Sequence, residues 1–193
     1  MAFQGPPAFA AWRHRNVRDG FEVLFLRSGP DHYQLQGETT AVEDGRAWAV
    51  RYTIVVDADW LTRTAHVVGW TTSGRREVRL EADGIGGWLV DGTATPLLAG
   101  CLDVDLESSS FTNALPVHRL NLEVGQSADA PAVYVRALDL SVERLEQRYS
   151  RIEDERSIQR YQYSAPRFDY IGRLAYDSYG LLLDYPGLAE RVL

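Results

Sequence analysis

Cys101, Asp103 and Asp105 alternate with Leu102, Val104 and Leu106 in the segment Gly100-Cys-Leu-Asp-Val-Asp-Leu106. In an extended strand that alternation sends the cysteine and both carboxylates to one face and the aliphatic side chains to the other. The two carboxylates then stand side by side, roughly 7 Å apart at the rise of a strand. A loop rich in Ser, Thr and Asn follows, and a further strand is expected over Pro116–Val124, carrying His118 and Arg119. Carboxylates, amides and a guanidinium gathered at one hairpin can bind hydroxyls or ions.

Several chemistries are open to such a group. A separation near 7 Å falls within the range of inverting glycosidases, but two residues on one strand face do not flank a sugar from opposite sides. Ligand contact suits them better, because carboxylates accept paired hydrogen bonds from hydroxyls. An Arg-paired strand face is the plain structural alternative. Metal binding by Asp103 and Asp105 with His118 or His66 lacks any His-x-x-x-His or Cys-x-x-Cys spacing. Cys101 and Ser108–Ser110 lie in no nucleophile motif. Gly84-Ile-Gly-Gly-Trp88 reads as a hairpin turn, not a phosphate loop, since no helix is expected after it.

The elements that must position these groups are strands. Phe21–Leu26, His32–Thr40, Ala47–Val56, Leu61–Trp70, Arg76–Glu81 and Gly87–Val90 alternate between apolar and polar residues. Ser73-Gly74, Asp83-Gly84 and Asp91-Gly92 supply turns between them. Leu102–Leu106, Pro116–Val124, the long stretch Ala132–Ile152, Gln159–Tyr163, Phe168–Asp177 and Leu181–Tyr185 complete the pattern. Leu138, Val142, Leu145 and Tyr149 also fall at helical spacing, but the alternation of Val133, Val135, Ala137 and Asp139 favours a long, bent strand there. The expected fold is all-β. A large curved antiparallel sheet would form a barrel, half-barrel or sandwich-like single domain over residues 1–193, with residues 1–11 a loose lead-in.

Composition narrows the function classes. A net charge of −7 and a pI near 5.1 argue against nucleic acid as a partner. All 20 basic residues are Arg, so a Schiff-base lysine and a P-loop are excluded. The single cysteine fits a reducing compartment. The N-terminus lacks the pattern of a secretory signal, and no run is long enough for a membrane span. A cytoplasmic protein without stable membrane insertion is expected.

Arg63, Arg119, Arg151 and Arg160 sit in or beside aromatic strands. Each needs a carboxylate or a ligand anion if buried, because an unpaired buried charge is costly. Glu22, Glu38, Asp57, Asp103 and Asp105 are the candidate partners. Tyr52, Ile54 and Val56 alternate with Arg51, Thr53 and Val55, so a sheet could face a core on one side and an aromatic cavity on the other.

Asp57-x-x-Trp60-x-Thr-Arg63, Trp88-x-x-Asp91-Gly92, Gly100-Cys-x-Asp-Val-Asp-Leu106, Ser110-Phe-Thr-Asn-x-Leu-Pro-Val-x-Arg-Leu120, Tyr149-x-Arg151, Arg160-Tyr-x-Tyr163 and Gly180-Leu-x-x-Asp-Tyr-Pro-Gly-Leu188 together resemble a bacterial glycolipid-binding family, long known as a domain of unknown function. The resemblance runs from about Trp12 to Arg191. Ser109-Ser110 departs from it, standing where the family pattern has Thr-Pro before Phe111.

The resemblance implies an antiparallel sheet curled round a cavity, similar to lipoprotein-carrier half-barrels. It implies a non-enzymatic protein holding a glycolipid or similar amphiphile, and carries over no catalytic residue, metal site or cofactor. Asp103, Asp105, Thr112, Asn113 and Arg119 match its main block, and Trp60, Arg63, Arg151, Arg160, Tyr161 and Tyr163 match its smaller motifs. These are the expected ligand contacts. Two other readings stay open: a hydrolase or isomerase acting on a sugar-lipid through Asp103 or Asp105, and a structural or interaction protein with no small ligand.

Overall fold

The computed structural model describes residues 3–192. Strands β1 (Phe9–His14), β2 (Asp19–Ser28), β3 (His32–Glu43), β4 (Arg46–Asp57), β5 (Thr62–Thr71), β6 (Gly74–Ala82), β7 (Trp88–Val90) and β8 (Thr93–Ala94) form a meander. The chain then passes through β9 (Asp103–Leu106), a 3-10 turn at Phe111–Asn113 and helix α1 (Ala114–Leu120). It continues through β10 (Ser127–Asp129), β11 (Ala132–Val135) and β12 (Val142–Leu145). A second meander follows: β13 (Arg148–Glu155), β14 (Ile158–Ala165), β15 (Tyr170–Tyr176), β16 (Leu182–Tyr185) and β17 (Ala189–Arg191).

The two meanders merge where β17 pairs with β1, so the first and last strands lie side by side in mid-sheet. The result is a 14-stranded antiparallel sheet with β10 at one edge and β8 at the other, open between them. The strands are those that period-2 patterning demands. In β4, Trp48, Val50, Tyr52, Ile54 and Val56 are buried while the intervening residues are exposed or half-buried. β1 starts at Phe9 with Ala10 and Ala11 already buried. The lead-in is thus tied down earlier than expected over residues 1–11: Gln4 N–H donates to Ser178 O at 2.9 Å. Met1 and Ala2 lie outside the described residues.

What fills the curl decides where a site can be. β9 pairs in parallel with β11, and β11 antiparallel with β12, as a small second sheet. Val104, Leu106, Phe111, Leu115 and Val117 from this inserted segment are at most 1% exposed, and they join one core with residues from β1 to β16. The hollow of the large sheet is therefore largely occupied by the chain's own middle third.

Two expectations are corrected here. Pro116–Val124 is not a strand: Ala114–Leu120 is α1. The run Ala-Leu-Pro-Val is apolar without a period, and such a run fits a buried helix as well as a buried strand. Pro116 sits in the first turn, where no intrahelical N–H bond is lost. Asn121, in the left-handed conformation at φ 42°, ends the helix with its N–H on Val117 O. The stretch Ala132–Ile152 is β11, β12 and β13, not one bent strand; Leu140 takes a positive φ of 57° at the first break. No helix of the described residues is long and apolar enough to cross a membrane.

Candidate functional site

β9 keeps both carboxylates on one face, as its alternation requires, and the return of the chain pairs them. Thr112 and Arg119 lie along that face. Arg119 Nε and Nη2 hold Asp103 at 2.6–3.2 Å. Thr112 Oγ1 donates to Asp105 Oδ1 at 2.7 Å and accepts from Leu106 N–H at 3.2 Å. Gln147 Nε2 donates to Asp105 Oδ2. Burial raises the pKa of both acids; Asp105 reaches about 6, with Asp103 and Glu107 adding repulsion and the bonds from Thr112 and Gln147 opposing it.

The neighbouring carboxylates are held differently: Asp105 lines a cavity, and Asp103 is paired with Arg119 outside it. Asp105 helps line a cavity of about 290 Å³ at the end where the β1–β2, β3–β4, β14–β15 and β16–β17 turns converge. Its deep wall includes Asp105, Asn113, Ser109, Ser110 and Arg18. Aromatic and aliphatic groups complete it, among them Tyr134, Tyr163, Tyr170 and Tyr185. Tyr163, Tyr170 and Tyr185 pack together with ring centroids 5.5–6.0 Å apart. Burial drives the Tyr163 and Tyr185 phenols well above their ordinary range, so they stay neutral. Asp103 and Arg119 are not among the lining residues: Arg119 instead borders an open groove with Trp60, His118 and Phe3 near the opposite end.

Of the residues expected to contact a ligand, Asp105, Asn113 and Tyr163 line the cavity. Thr112 lies directly behind Asp105. Arg63 pairs with Asp57 at 2.6 Å and reaches Asp83 O at 3.1 Å. Buried Arg151 pairs with Asp154, donates to Ile152 O and Arg160 O, and lies 5.1 Å over the Tyr161 ring. Arg160 binds Glu153 O and Glu155. Tyr161 packs edge-on against Tyr176 at 5.4 Å. Among the described residues no three His, Cys, Asp or Glu side chains are grouped to hold a metal ion. Cys101 is buried and its thiol is pushed up to about 11 by desolvation, which leaves little thiolate for nucleophilic chemistry.

The cavity also rests on a polar cluster of which the sequence pointed only to Glu22, as a possible arginine partner, and to the Ser108–Ser110 run. Glu22, fully buried, accepts from Tyr52 Oη at 2.7 Å, from Ser110 N–H at 2.7 Å and from Ser109 Oγ. A proline at position 110 would have no N–H to offer, so the departure at Ser109-Ser110 supplies a bond that the expected Thr-Pro could not. Arg18 Nε donates to His14 Nδ1 at 2.7 Å. That bond requires a lone pair on Nδ1, so neutral His14 carries its proton on Nε2, 3.8 Å from Glu22 and 3.5 Å from Ser110 Oγ. The signal was present: His14 and Glu22 sit on the inward phase of β1 and β2 beside Trp12 and Leu24, where a polar residue must find a buried partner. Arg18 lies in a turn, and no periodicity points to it.

A family model described as "Putative glycolipid-binding" matches residues 9–191. This chain belongs to that glycolipid-binding family. A crystal structure at 1.80 Å of a DUF1089 family protein (PA1994) from Pseudomonas aeruginosa is similar to the family member described here, with 35% identity and a TM-score of 0.77 over 90% of this chain and 92% of that one. A β-barrel-like protein of the domain of unknown function DUF1849 from Brucella abortus shares the fold at 11% identity, with a TM-score of 0.53 over 98% of this chain and 96% of that one. No protein with a curated description matches this glycolipid-binding family member.

Proposed function

We propose that this protein binds a glycolipid or a similar amphiphile, without transforming it, in the cavity between Asp105 and the Tyr163–Tyr170–Tyr185 cluster. The observation that carries the reading is one cavity with two kinds of wall: hydrogen-bonding groups at Arg18, Ser110 and Asn113, and aromatic faces from four tyrosines. At roughly 30 Å³ for a water-sized group, 290 Å³ holds about ten such groups. That is room for part of a glycolipid, and the remainder extends outward over the surface. Each methylene buried there contributes about 0.8 kcal/mol. The family's description supports the ligand class.

Asp105 also supports a second reading, as the acid or base of a sugar-lipid hydrolase or isomerase, because its pKa of about 6 suits proton transfer. Both its oxygens, however, already accept hydrogen bonds from Thr112 and Gln147. Asp103 is held by Arg119 away from the cavity. Binding without turnover is the simpler chemistry for this arrangement.

The test is mass spectrometry of lipids extracted from protein purified without detergent, followed by titration with lipid and glycolipid panels. A copurifying amphiphile, displaced by a panel member, is expected. Absence of any amphiphile from the native protein, together with no binding from the panels, overturns the reading. Turnover of a glycoside that is lost in folded Asp105→Asn would replace it with the hydrolase reading.

A further inference from the structure

We propose that the amphiphile enters head first: an uncharged, sugar-sized polyhydroxyl group lies deep in the cavity on Arg18 and Asn113, and its apolar chain leaves over Val17 and Phe168. This rests on the cavity being an amphiphile site and adds which end it recognises.

The buried lining of the cavity carries hydrogen-bonding groups, and its exposed members are apolar. Arg18, Asn113 and Ser110 are 8%, 4% and 3% exposed, whereas Val17 and Phe168, the exposed members of the lining, are 52% and 43% exposed. The two exposed lining residues are therefore apolar, while Arg18, Asn113 and Ser110 are buried beside Leu106, Leu145 and Ala165, with Glu43 and Glu107 half-buried between. A chain inserted first would bury methylenes against unpartnered donors, which is costly.

Those donors are identifiable. Arg18 uses Nε on His14, but its two terminal nitrogens make no hydrogen bond to any described residue. The carboxylate nearest its fork, Glu43, is 4.0 Å away, beyond hydrogen-bonding reach. Asn113 Oδ1 accepts from Tyr149 Oη at 2.9 Å, leaving the amide nitrogen without a partner among the described residues. Arg18, whose guanidinium also lies 5.3 Å over the Trp48 ring, and Asn113 thus both line the same 290 Å³.

Charge selects the head group. Burial lowers the pKa of Arg18, while Glu43, Glu107 and Glu22 act on it in the opposite sense. Asp105 adds a further carboxylate to the wall, and only Glu107 has a second cation, Arg136, at 3.6 Å. With carboxylates outnumbering cations, an anionic head is repelled. A hydroxyl group accepts from Arg18 or Asn113 and donates to Glu43 or Glu107. The neighbouring tyrosine rings offer apolar faces to the C–H side of a sugar ring.

The experiment is calorimetric titration of the full chain with methyl and octyl glycosides of glucose, galactose and mannose, octyl glucuronide, and 1-octanol. At least one octyl glycoside is expected to bind. Its methyl glycoside should bind tenfold or more weakly and compete with it. The glucuronide should bind at least tenfold more weakly than the neutral octyl glycoside, and octanol not at all. Arg18→Met should abolish glycoside binding. Should that variant not fold, exposed Phe168→Ser provides the second measurement, and the octyl-to-methyl affinity ratio should fall at least fivefold. Octanol binding as tightly as octyl glycoside, a preference for the glucuronide, or an unchanged ratio in Phe168→Ser overturns the proposal. If native protein carries an amphiphile but binds none of these glycosides, the head-group assignment is wrong while the binding function stands. If it neither carries nor binds any amphiphile, both fail.

Discussion

Trp60 and His118 lie face to face, their ring centroids 3.7 Å apart and their planes 7° from parallel. Tyr33 extends the stack at 4.9 Å from Trp60, and Phe3 closes on His118 at 4.6 Å. Trp60 reaches this position through a φ of 64°, in a turn where Asp57 Oδ1 accepts the N–H groups of Asp59 and Leu61 at 3.0 Å. The stack ties the N-terminal segment, the β4–β5 turn and α1 together at the end remote from the cavity. Burial drives the His118 pKa down to about 3. The imidazole stays neutral in the folded protein while the unfolded chain binds a proton near pH 6.5. Its contribution to stability is therefore present above pH 6.5 and is lost as pH falls toward 3. His118→Phe keeps a ring in the stack and removes the titration. Denaturant midpoints at pH 7 and pH 4 should show wild type losing roughly 3 kcal/mol more than the variant. Parallel losses in the two proteins would show that His118 is not buried as described.

Asp105 has the opposite sign. Its folded pKa is raised from 3.8 to about 6, so stability linked to it is fully present below pH 3.8 and is lost as pH rises through 6. At pH 7 the buried carboxylate costs on the order of 3 kcal/mol relative to its protonated form. Asp105→Asn should narrow the stability difference between pH 4.5 and pH 7, measured by urea unfolding. If the wild-type and Asn curves stay parallel across that interval, Asp105 does not titrate there.

Asp103 and Arg119 pair at the edge of the core: the aspartate side chain is 1% exposed and the arginine side chain 13%. Removing the arginine leaves the aspartate charge buried, at about 3–5 kcal/mol. Arg119→Met should cost that much at pH 7, and Asp103→Asn together with Arg119→Met should recover a large part of it. The double-mutant cycle measures the coupling directly. Additive losses would mean that the charges do not depend on each other.

Much of the fold was legible because its strands have one buried face and one wet one. Leu24 and Leu26 in β2 and the five inward residues of β4 show that period plainly. The joining of β17 to β1 was not legible, since a pairing between chain ends leaves no local mark. α1 was missed because Ala114–Val117 is apolar throughout. Of the residues expected to touch a ligand from motifs and strand faces, Asp105, Asn113 and Tyr163 line the cavity. Period-2 alternation placed Asp103 beside Asp105 but could not show that Arg119 would hold Asp103 outside the cavity that Asp105 lines. Arg18 was missed because turns carry no period.

Gly37 shows how closely the large sheet is fitted to the cluster beneath the cavity. It pairs across the strands with Tyr52, whose ring lies over it. A Cβ added at Gly37 would fall 2.1 Å from Tyr52 Cζ and 2.3 Å from its hydroxyl oxygen. The same hydroxyl donates to Glu22, so the ring cannot move aside without releasing that buried carboxylate. Gly37→Ala should destabilise the protein by about 1–3 kcal/mol, the usual cost of overpacking a core, read as a lower thermal midpoint. The same change in a Tyr52→Ala background removes the clash and should cost little more than Tyr52→Ala alone. An equal cost in both backgrounds would place the strain in the β3 backbone instead of at the Tyr52 ring.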